Sequence, residues 1–384
     1  MEHGIPTVLH TRVVTGTGGG PEKTILNSPR FLIPSGYQLL CAYMHPPGDP
    51  GFAELRSKAA ALGAPLEGIE DRGPWDLRVF TRLLALCRRE RVTIWHAHDY
   101  KSNAFGLLLR RFWPMRLVTT VHGWVKLTRR TPFYYWLDRR LLRHYDRVIC
   151  VSEDLKETCV ASGVRADRCS VIENAIDAAQ YVRRTPIEEA KRRAGFEPRR
   201  LLIGTVGRLS EEKNFVGLIR AVDRLLDQGI DAGLVILGEG DQRPELEALV
   251  HSLGRQDRIR LLGYRPDTID LYEAMDVFVL NSHREGFPNV LLEAMAVEVP
   301  AVATRIAGVP RLVQHETNGL LLEPGNLDQL IECLKRLLSD PGLRMRLAAE
   351  GRRTVEGSYT FEARMAKVRA IYDELLREAD PRLN

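Results

Sequence analysis

Val277-Phe278-Val279-Leu280 and, a few residues on, Glu285-Gly286-Phe287-Pro288-Asn289-Val290-Leu291-Leu292-Glu293-Ala294-Met295-Ala296 read as a buried strand, a glycine and proline turn, and a helix opening near Asn289. The first turn of such a helix offers unpaired N–H groups and a partial positive charge, which attract a diphosphate. Glu293, one turn in, is placed to accept hydrogen bonds from a ribose diol, and Glu285, in the turn, to meet a sugar. Gly286, Phe287, Pro288, Asn289 and Val290 line the same turn.

The rest of the chain repeats this grammar. Short apolar runs alternate with longer amphipathic stretches, the pattern of parallel sheets flanked by helices. Strands are expected at Pro6 to His10, Gln38 to Tyr43, Val92 to His96, Leu117 to Val121, Val148 to Val151 and Ser170 to Ile172. A second series follows at Leu201 to Val206, Gly233 to Leu237, Ile259 to Leu262, Val277 to Leu280, Ala301 to Ala303 and Gly319 to Leu322. Between the two series, residues 177–200 are charged and weakly apolar and end in Glu197-Pro198-Arg199-Arg200, the composition of a linker. Amphipathic helices at Leu327 to Leu338 and Phe361 to Glu378 close the chain. With 384 residues, more than one core ordinarily holds, the expectation is α/β: two tandem doubly wound, Rossmann-like domains facing across a cleft, at 1–176 and 201–360.

In doubly wound domains ligands bind at the carboxyl ends of strands, and the notable residues fall there. Arg208 and Lys213, in Gly207-Arg208-Leu209-Ser210-Glu211-Glu212-Lys213-Asn214, follow the strand that begins the second series. Two cations in a strand-to-helix loop stabilise charge that develops on a leaving diphosphate. No Asp-x-Asp occurs, so the closely paired carboxylates that commonly hold a hard cation are missing, and a metal-independent departure is expected. Gly238 ends the next strand. Gly16-Thr17-Gly18-Gly19-Gly20 follows the first strand, but Pro21 breaks the G-x-G-x-x-G fingerprint. Gly18, Gly19 and Gly20 are therefore read as a ligand-covering loop and not as a dinucleotide site. His122, in Thr119-Thr120-Val121-His122-Gly123, can hydrogen-bond a hexose hydroxyl or the reacting centre. His96 and His98 beside Asp99 lack an evident third ligand and are read as structural or acceptor-side residues.

Composition narrows the partners. No apolar stretch approaches the ~18 residues of a membrane span, and Met1-Glu2-His3-Gly4 does not open a signal segment. Six cysteines without a C-x-x-C pair read as buried free thiols and not as a zinc or disulfide framework. A cytoplasmic protein is expected. Net charge is +5, unevenly divided: residues 1–175 carry 25 Lys and Arg against 17 Asp and Glu, a net of +8. Between 101 and 147 the balance is 11 to 2, with Arg110, Arg111, Arg116, Arg129, Arg130, Arg139, Arg140 and Arg143 interleaved with Phe112, Trp113, Trp124, Phe133, Tyr134, Tyr135 and Trp136. Such a stretch suits peripheral contact with an anionic membrane. No base-reading module accompanies it, so nucleic acid is not expected.

Taken together, the glycine loop at 16–20, Thr120-Val121-His122-Gly123, Val151-Ser152-Glu153, Asn174-Ala175-Ile176-Asp177, Gly207-Arg208-Leu209 with Lys213-Asn214, Gly238-Glu239-Gly240, and Glu285-Gly286-Phe287-Pro288 through Leu292-Glu293-Ala294-Met295-Ala296 resemble the family-4 retaining glycosyltransferases of the GT-B fold. The resemblance covers essentially the whole chain. It implies transfer of a hexose from a UDP- or GDP-sugar to a glycan or lipid-linked acceptor, with retained configuration, without a protein nucleophile and without a metal or other cofactor. It implies that Glu293 binds the ribose, Glu285 the donor sugar, Gly286 to Asn289 the phosphates and sugar, Arg208 and Lys213 the diphosphate, His122 the hexose, and the backbone near Tyr264 and Arg265 the base. It also implies an acceptor-binding first domain and a last helix, 361–384, that crosses back onto it. The chain departs from the family where glycine is usual, at Ala175, Glu298 and Ala307, and where an acidic residue is usual, at Arg311. A nucleotide-sugar-binding protein without turnover is the alternative reading, and a nucleotide-dependent oxidoreductase fails on the broken fingerprint.

Overall fold

The computed structural model describes residues 5–16, 18–73, 76–123, 131–265 and 267–378, with backbone alone at 131–133. Thr17 of the glycine loop, Trp124, Arg129, Arg130 and the Phe133 side chain lie outside the described residues, as do 1–4 and 379–384. The chain forms two compact units, Met1–Asn174 with Glu362–Asn384, and Ala175–Phe361.

In the first unit the strands are β1 (Thr7–Val13), β2 (Gln38–His45), β3 (Leu66–Glu70), β4 (Val92–Ala97), β5 (Arg116–Val121), β6 (Arg147–Cys150) and β7 (Cys169–Val171). Their order is β3-β2-β1-β4-β5-β6-β7. The second unit has β8 (Leu201–Val206), β9 (Ala232–Leu237), β10 (Ile259–Gly263), β11 (Val277–Leu280), β12 (Ala301–Thr304) and β13 (Leu320–Leu322), ordered β10-β9-β8-β11-β12-β13. Every described strand pairing is parallel. Helices cover both faces of such sheets, so central strands are buried throughout, as β5, β9 and β11 are, and read as unbroken apolar runs. Strand order reverses between β1 and β4 and again between β8 and β11, and a doubly wound sheet opens its ligand crevice at that point.

Strand β3 and the helices Ile187–Arg193 and Pro341–Ser358 are among the elements not expected from sequence. Strand β3 is an edge strand whose pattern, Leu-Glu-Gly-Ile-Glu, buries only Ile69. Its Gly68 is required because a Cβ there would lie 2.5 Å from the Phe52 ring. Helix Pro341–Ser358 buries a narrow stripe, Leu343, Leu347, Ala348, Gly351 and Val355, beneath many arginines and glycines, which hid its period.

Residues 177–200, expected as a linker, belong instead to the second unit. Their charges are paired inside it. Lys191 Nζ meets Asp276 Oδ2 at 2.6 Å with both side chains buried, and also donates to Arg200 O at 2.9 Å. Glu273 accepts from the backbone N–H groups of Arg184 and Thr185, while Arg183 donates to its carbonyl at 2.6 Å. Removing one partner of a buried pair leaves an uncompensated charge, so these residues fasten the segment.

The final helix, Phe361–Arg377, packs within the first unit. Tyr372 is fully buried and its hydroxyl bonds His96 Nδ1; Tyr37 Oη bonds Asp373; and Arg147 reaches Glu374 at 2.9 Å and Glu378 at 2.6 Å.

Helix Asn289–Ala296 ends in a left-handed turn: Glu298 has φ 58°, its N–H bonds Met295 O at 3.1 Å, and Val299 N–H reaches back to Ala294 O at 3.0 Å. This is the Schellman arrangement, which favours glycine at the position Glu298 holds. Ala307 likewise sits at φ 43°, which gives a backbone reason for the glycine usual at both sites. Glu298→Gly is expected to raise unfolding stability by about 0.5–1 kcal/mol, the left-handed penalty less the added chain entropy of glycine. Denaturant melts of the two proteins check this, and a loss of stability contradicts it.

Candidate functional site

At the β8/β11 switch point the loops are locked by their backbones. Gly207 N–H bonds Leu237 O and Leu209 N–H bonds Glu239 O, each at 2.9 Å, and Gly238 N–H bonds Gly263 O at 2.8 Å. Gly238 has φ 135°, and a Cβ there would fall 1.9 Å from Gly207 O, so only glycine lets these strand exits meet. Asn214, at φ 51°, caps helix Phe215–Asp227 by accepting from Gly217 N–H at 3.2 Å. That cap turns Lys213 back toward β11, where Nζ meets Glu285 Oε1 at 2.6 Å. Ser282 Oγ donates to the same oxygen at 2.7 Å. Arg208, half exposed, pairs with Glu212 at 2.7 Å.

The adjoining helix, Asn289–Ala296, starts after Pro288. Phe287 is buried, its ring 5.2 Å from that of Tyr359, and Gly286 O accepts from Gly308 N–H at 3.1 Å. A Cβ on Gly308 would strike the Phe287 ring at 2.7 Å. Glu293 is fully buried and accepts from Tyr272 Oη at 3.1 Å. Burial, reinforced by the Glu293 charge, pushes the Tyr272 phenol well above its ordinary pKa, so it remains a donor. Tyr264 is half exposed, and Arg265 is paired with Asp267 at 2.5 Å. Helix N–H groups, two cations and two carboxylates at the carboxyl ends of neighbouring strands can bind a sugar diphosphate and stabilise its departure.

At the β1/β4 switch point of the first unit, Gly16 N–H bonds Asp49 Oδ2 at 2.7 Å, and Gly19 N–H bonds Glu22 Oε2 at 2.5 Å. Gly20 opens helix Gly20–Asn27, and Glu22 is itself paired with Arg12. Gly18 has φ 73°. Four imidazoles gather beside this loop. His10 Nδ1 lies 2.9 Å from His98 Nε2, and His98 Nδ1 lies 3.1 Å from His122 Nε2. His96 bonds Tyr372 Oη and, at 2.8 Å, Thr120 Oγ1. Burial, followed by the charge of Arg364, pushes His10 down to about 3. His96, His98 and His122 are held well below the ordinary value, again by burial first and then by neighbouring rings, Arg12 and Arg364. Asp99 caps helix Tyr100–Leu109 through Lys101 and Ser102 N–H, and burial raises its pKa.

Among the described residues, His10, His96 and His98 come close enough to share a cation, as do Cys150, Cys159 and Cys169. The rings of His96 and His98 are stacked 4.5 Å apart, 15° from parallel, so their in-plane lone pairs do not converge. All six cysteines are free and buried, as expected, with Cys150 Sγ 3.7 Å from Cys159 and 3.6 Å from Cys169.

Sequence comparison matches residues 186–354 to glycosyl transferases group 1 and residues 18–180 to glycosyltransferase family 4. An uncharacterized glycosyltransferase of Methanocaldococcus jannaschii is 32% identical over 70% of this chain and 71% of its own length. The chain belongs to the family-4 glycosyltransferases of the GT-B fold. UDP-Gal:alpha-D-GlcNAc-diphosphoundecaprenol alpha-1,3-galactosyltransferase of Escherichia coli is 27% identical over 78% of this chain and 80% of its length. The fold matches Anabaena HepE, solved in complex with UDP and glucose, with a TM-score of 0.83 at 20% identity over 95% of this chain and 99% of that one.

In this glycosyltransferase Lys213, Glu285, Arg208, Gly238, Glu293 and Gly286 to Val290 all belong to the second unit, where Lys213 and Glu285 form a direct ion pair. His122 and Gly18 to Gly20 belong to the first. Sequence reasoning missed Tyr272, Ser282 and Glu212, which hold Glu293, Glu285 and Arg208. It also missed His10, the third imidazole beside His96 and His98. Register places His10 directly opposite His96, a relation visible only once β1 is known to neighbour β4.

The neutral histidines make stability depend on pH. Each has a folded pKa below its unfolded value, so its contribution is complete above about pH 6.5 and is lost as pH falls toward the folded value. The first unit, which holds all five tryptophans, is expected to lose stability below about pH 6.5 by up to ~1.4 kcal/mol per pH unit for each histidine. Denaturant melts followed by tryptophan fluorescence check this, and a stability flat from about pH 7 to about 5 contradicts it.

Proposed function

We propose that this glycosyltransferase moves a hexose from a UDP- or GDP-sugar to a glycan or lipid-linked acceptor, with retention at the anomeric carbon and no metal ion at the leaving group. The observation that carries the reading is the Lys213–Glu285 pair at the β8/β11 switch point, with Arg208 beside it and the amino end of helix Asn289–Ala296 adjoining. A leaving diphosphate gains negative charge as the glycosidic bond breaks, and the two cations stabilise that change. The acceptor hydroxyl attacks from the face the diphosphate leaves, and its proton passes to a leaving phosphate oxygen, so no protein nucleophile is needed. Glu285 holds the donor sugar, His122 meets the hexose, and the backbone at Tyr264 and Arg265 meets the base. Glu293 takes the ribose, which requires its buried carboxylate to open toward the ligand while Tyr272 keeps it oriented. The similar Escherichia coli enzyme is named for a UDP-sugar donor and a lipid-diphosphate acceptor, and the similar Anabaena structure holds UDP and glucose; both support a UDP-sugar over GDP.

Glu293→Gln is expected to weaken UDP binding by ~1–3 kcal/mol, the cost of losing a charged hydrogen bond, as read by calorimetry. Arg208→Ala and Lys213→Ala are expected to lower kcat more than they raise KM, with turnover surviving EDTA. Unchanged UDP affinity removes Glu293 from the site, equal losses in binding alone remove the two cations from the chemical step, and loss of turnover in EDTA restores a metal.

The acceptor side is assigned to a membrane surface on the cytoplasmic face. No helix among the described residues is long and apolar enough to cross a membrane. Phe112, in the turn after helix Tyr100–Leu109, is 54% exposed and Trp136, on helix Thr131–Leu142, 45%, with Leu108 and Leu137 also exposed on those two helices. The Arg140 guanidinium lies 4.2 Å over the Trp136 ring. Arg110 and Arg116 are engaged inward, with Asp146 and with Glu378 O, whereas Arg111, Arg140 and Arg143 are exposed. Cosedimentation with anionic but not neutral vesicles, weakened by salt, is expected; equal recovery in the supernatant with both removes the membrane.

A further inference from the structure

The first unit's histidines form a directed line whose direction is set at its far end. A neutral imidazole has one N–H and one lone pair, so three rings joined by two hydrogen bonds can be ordered in two ways. In one, His10 Nδ1–H donates to His98 Nε2, and His98 Nδ1–H donates to His122 Nε2. In the other, both bonds run the opposite way. The bonds measure 2.9 and 3.1 Å. The two orders differ at His10 Nε2, which is buried and has no hydrogen-bond partner. The first order leaves a lone pair there; the second leaves an N–H. A buried N–H without an acceptor is among the rarest arrangements in folded proteins, and the second order forces one.

We infer that His98, backed by His10, fixes His122 as the Nδ1–H tautomer, so that this ring meets the transferred sugar as a hydrogen-bond donor and not as a base. The sugar contact rests on the function proposed above; the tautomer does not. His98 spends both ring nitrogens in the line and is a positioning residue. His96 imposes no direction, because its partners, the Tyr372 and Thr120 hydroxyls, each rotate to donate or accept. Among the described residues nothing engages His122 Nδ1, which leaves that atom for a ligand oxygen. The titratable and charged groups bearing on the line are His96 from β4, Arg12 from β1 and Arg364 from helix Phe361–Arg377. The cations and burial oppose a further proton, so the line stays neutral. A neutral donor suits a sugar hydroxyl, since it orients the oxygen without taking its proton.

The test uses the full chain with histidine rings labelled in 15N, and reads tautomers from two-bond proton–nitrogen correlations. His122 signals are assigned by their loss in His122→Gln. The expected pattern is a protonated Nδ1 and a bare Nε2 at His122, unchanged between about pH 6 and about 8. His98→Asn keeps an N–H near the position of Nδ1 and is expected to preserve that pattern. His98→Leu removes the donor, so His122 is expected to revert to the Nε2–H form ordinary in water, with kcat/KM falling roughly tenfold. An Nε2–H His122 in the unmodified protein overturns the inference, and that spectrum decides even where His98→Leu does not fold. An Nδ1–H His122 whose replacement by Leu, which has no donor, leaves sugar transfer unchanged overturns the donor role while leaving the tautomer standing.

Discussion

Parallel strands cannot be joined by a tight turn; each connection must cross the sheet, and the helices that make the crossing seal both faces. That constraint governs the rest of this molecule. With the faces of β1 to β13 covered, polar side chains that must reach a ligand collect where strands exit, and a crevice opens where strand order reverses. Lys213 and Glu285 meet because β8 and β11 are neighbours. The histidine line exists because β1 lies beside β4, and β4 beside β5.

A second property is common to both switch points: groups suited to an anion already carry a carboxylate from the chain. Lys213 holds Glu285, Arg208 holds Glu212, and the Gly19 N–H holds Glu22, which also holds Arg12. On the proposed function, an arriving diphosphate exchanges partners instead of filling bare charge. Such exchange lowers net affinity relative to an unpaired cation and keeps each cationic side chain oriented in the absence of ligand.

Much of this was legible in the residues. Strands β8 and β11 emerge at the bounds expected for them because both are short apolar runs bounded by turn residues. The segment from Glu285 to Ala296 folds as the turn and helix that its glycine, proline and leucines dictate. What escaped depends on distance in space. Lys191 lies in the charged segment read as a linker, yet it meets Asp276 2.6 Å away in the interior. Three cysteines with no shared spacing meet across β6, β7 and the helix Glu153–Ala161. His10 gave no local sign, since its role is set by the strand beside it, and neither did Tyr272, whose hydroxyl reaches Glu293 from a separate short helix.

Arg352 draws together parts of the second unit that are remote in sequence. Its guanidinium donates to the carbonyls of Ala296, Tyr181 and Ala178, closing the carboxyl end of the helix that carries Glu293. A chain leaving the ribosome thus makes that helix well before the residue that caps it, and makes His96 long before Tyr372, its partner from the last helix. The first unit, assembled from both ends of the chain, cannot be completed during synthesis in the amino-to-carboxyl sequence by which domains usually mature. The second unit, continuous in the chain, is the one able to close first, and His96 gains its Tyr372 partner only after the last helix has been made.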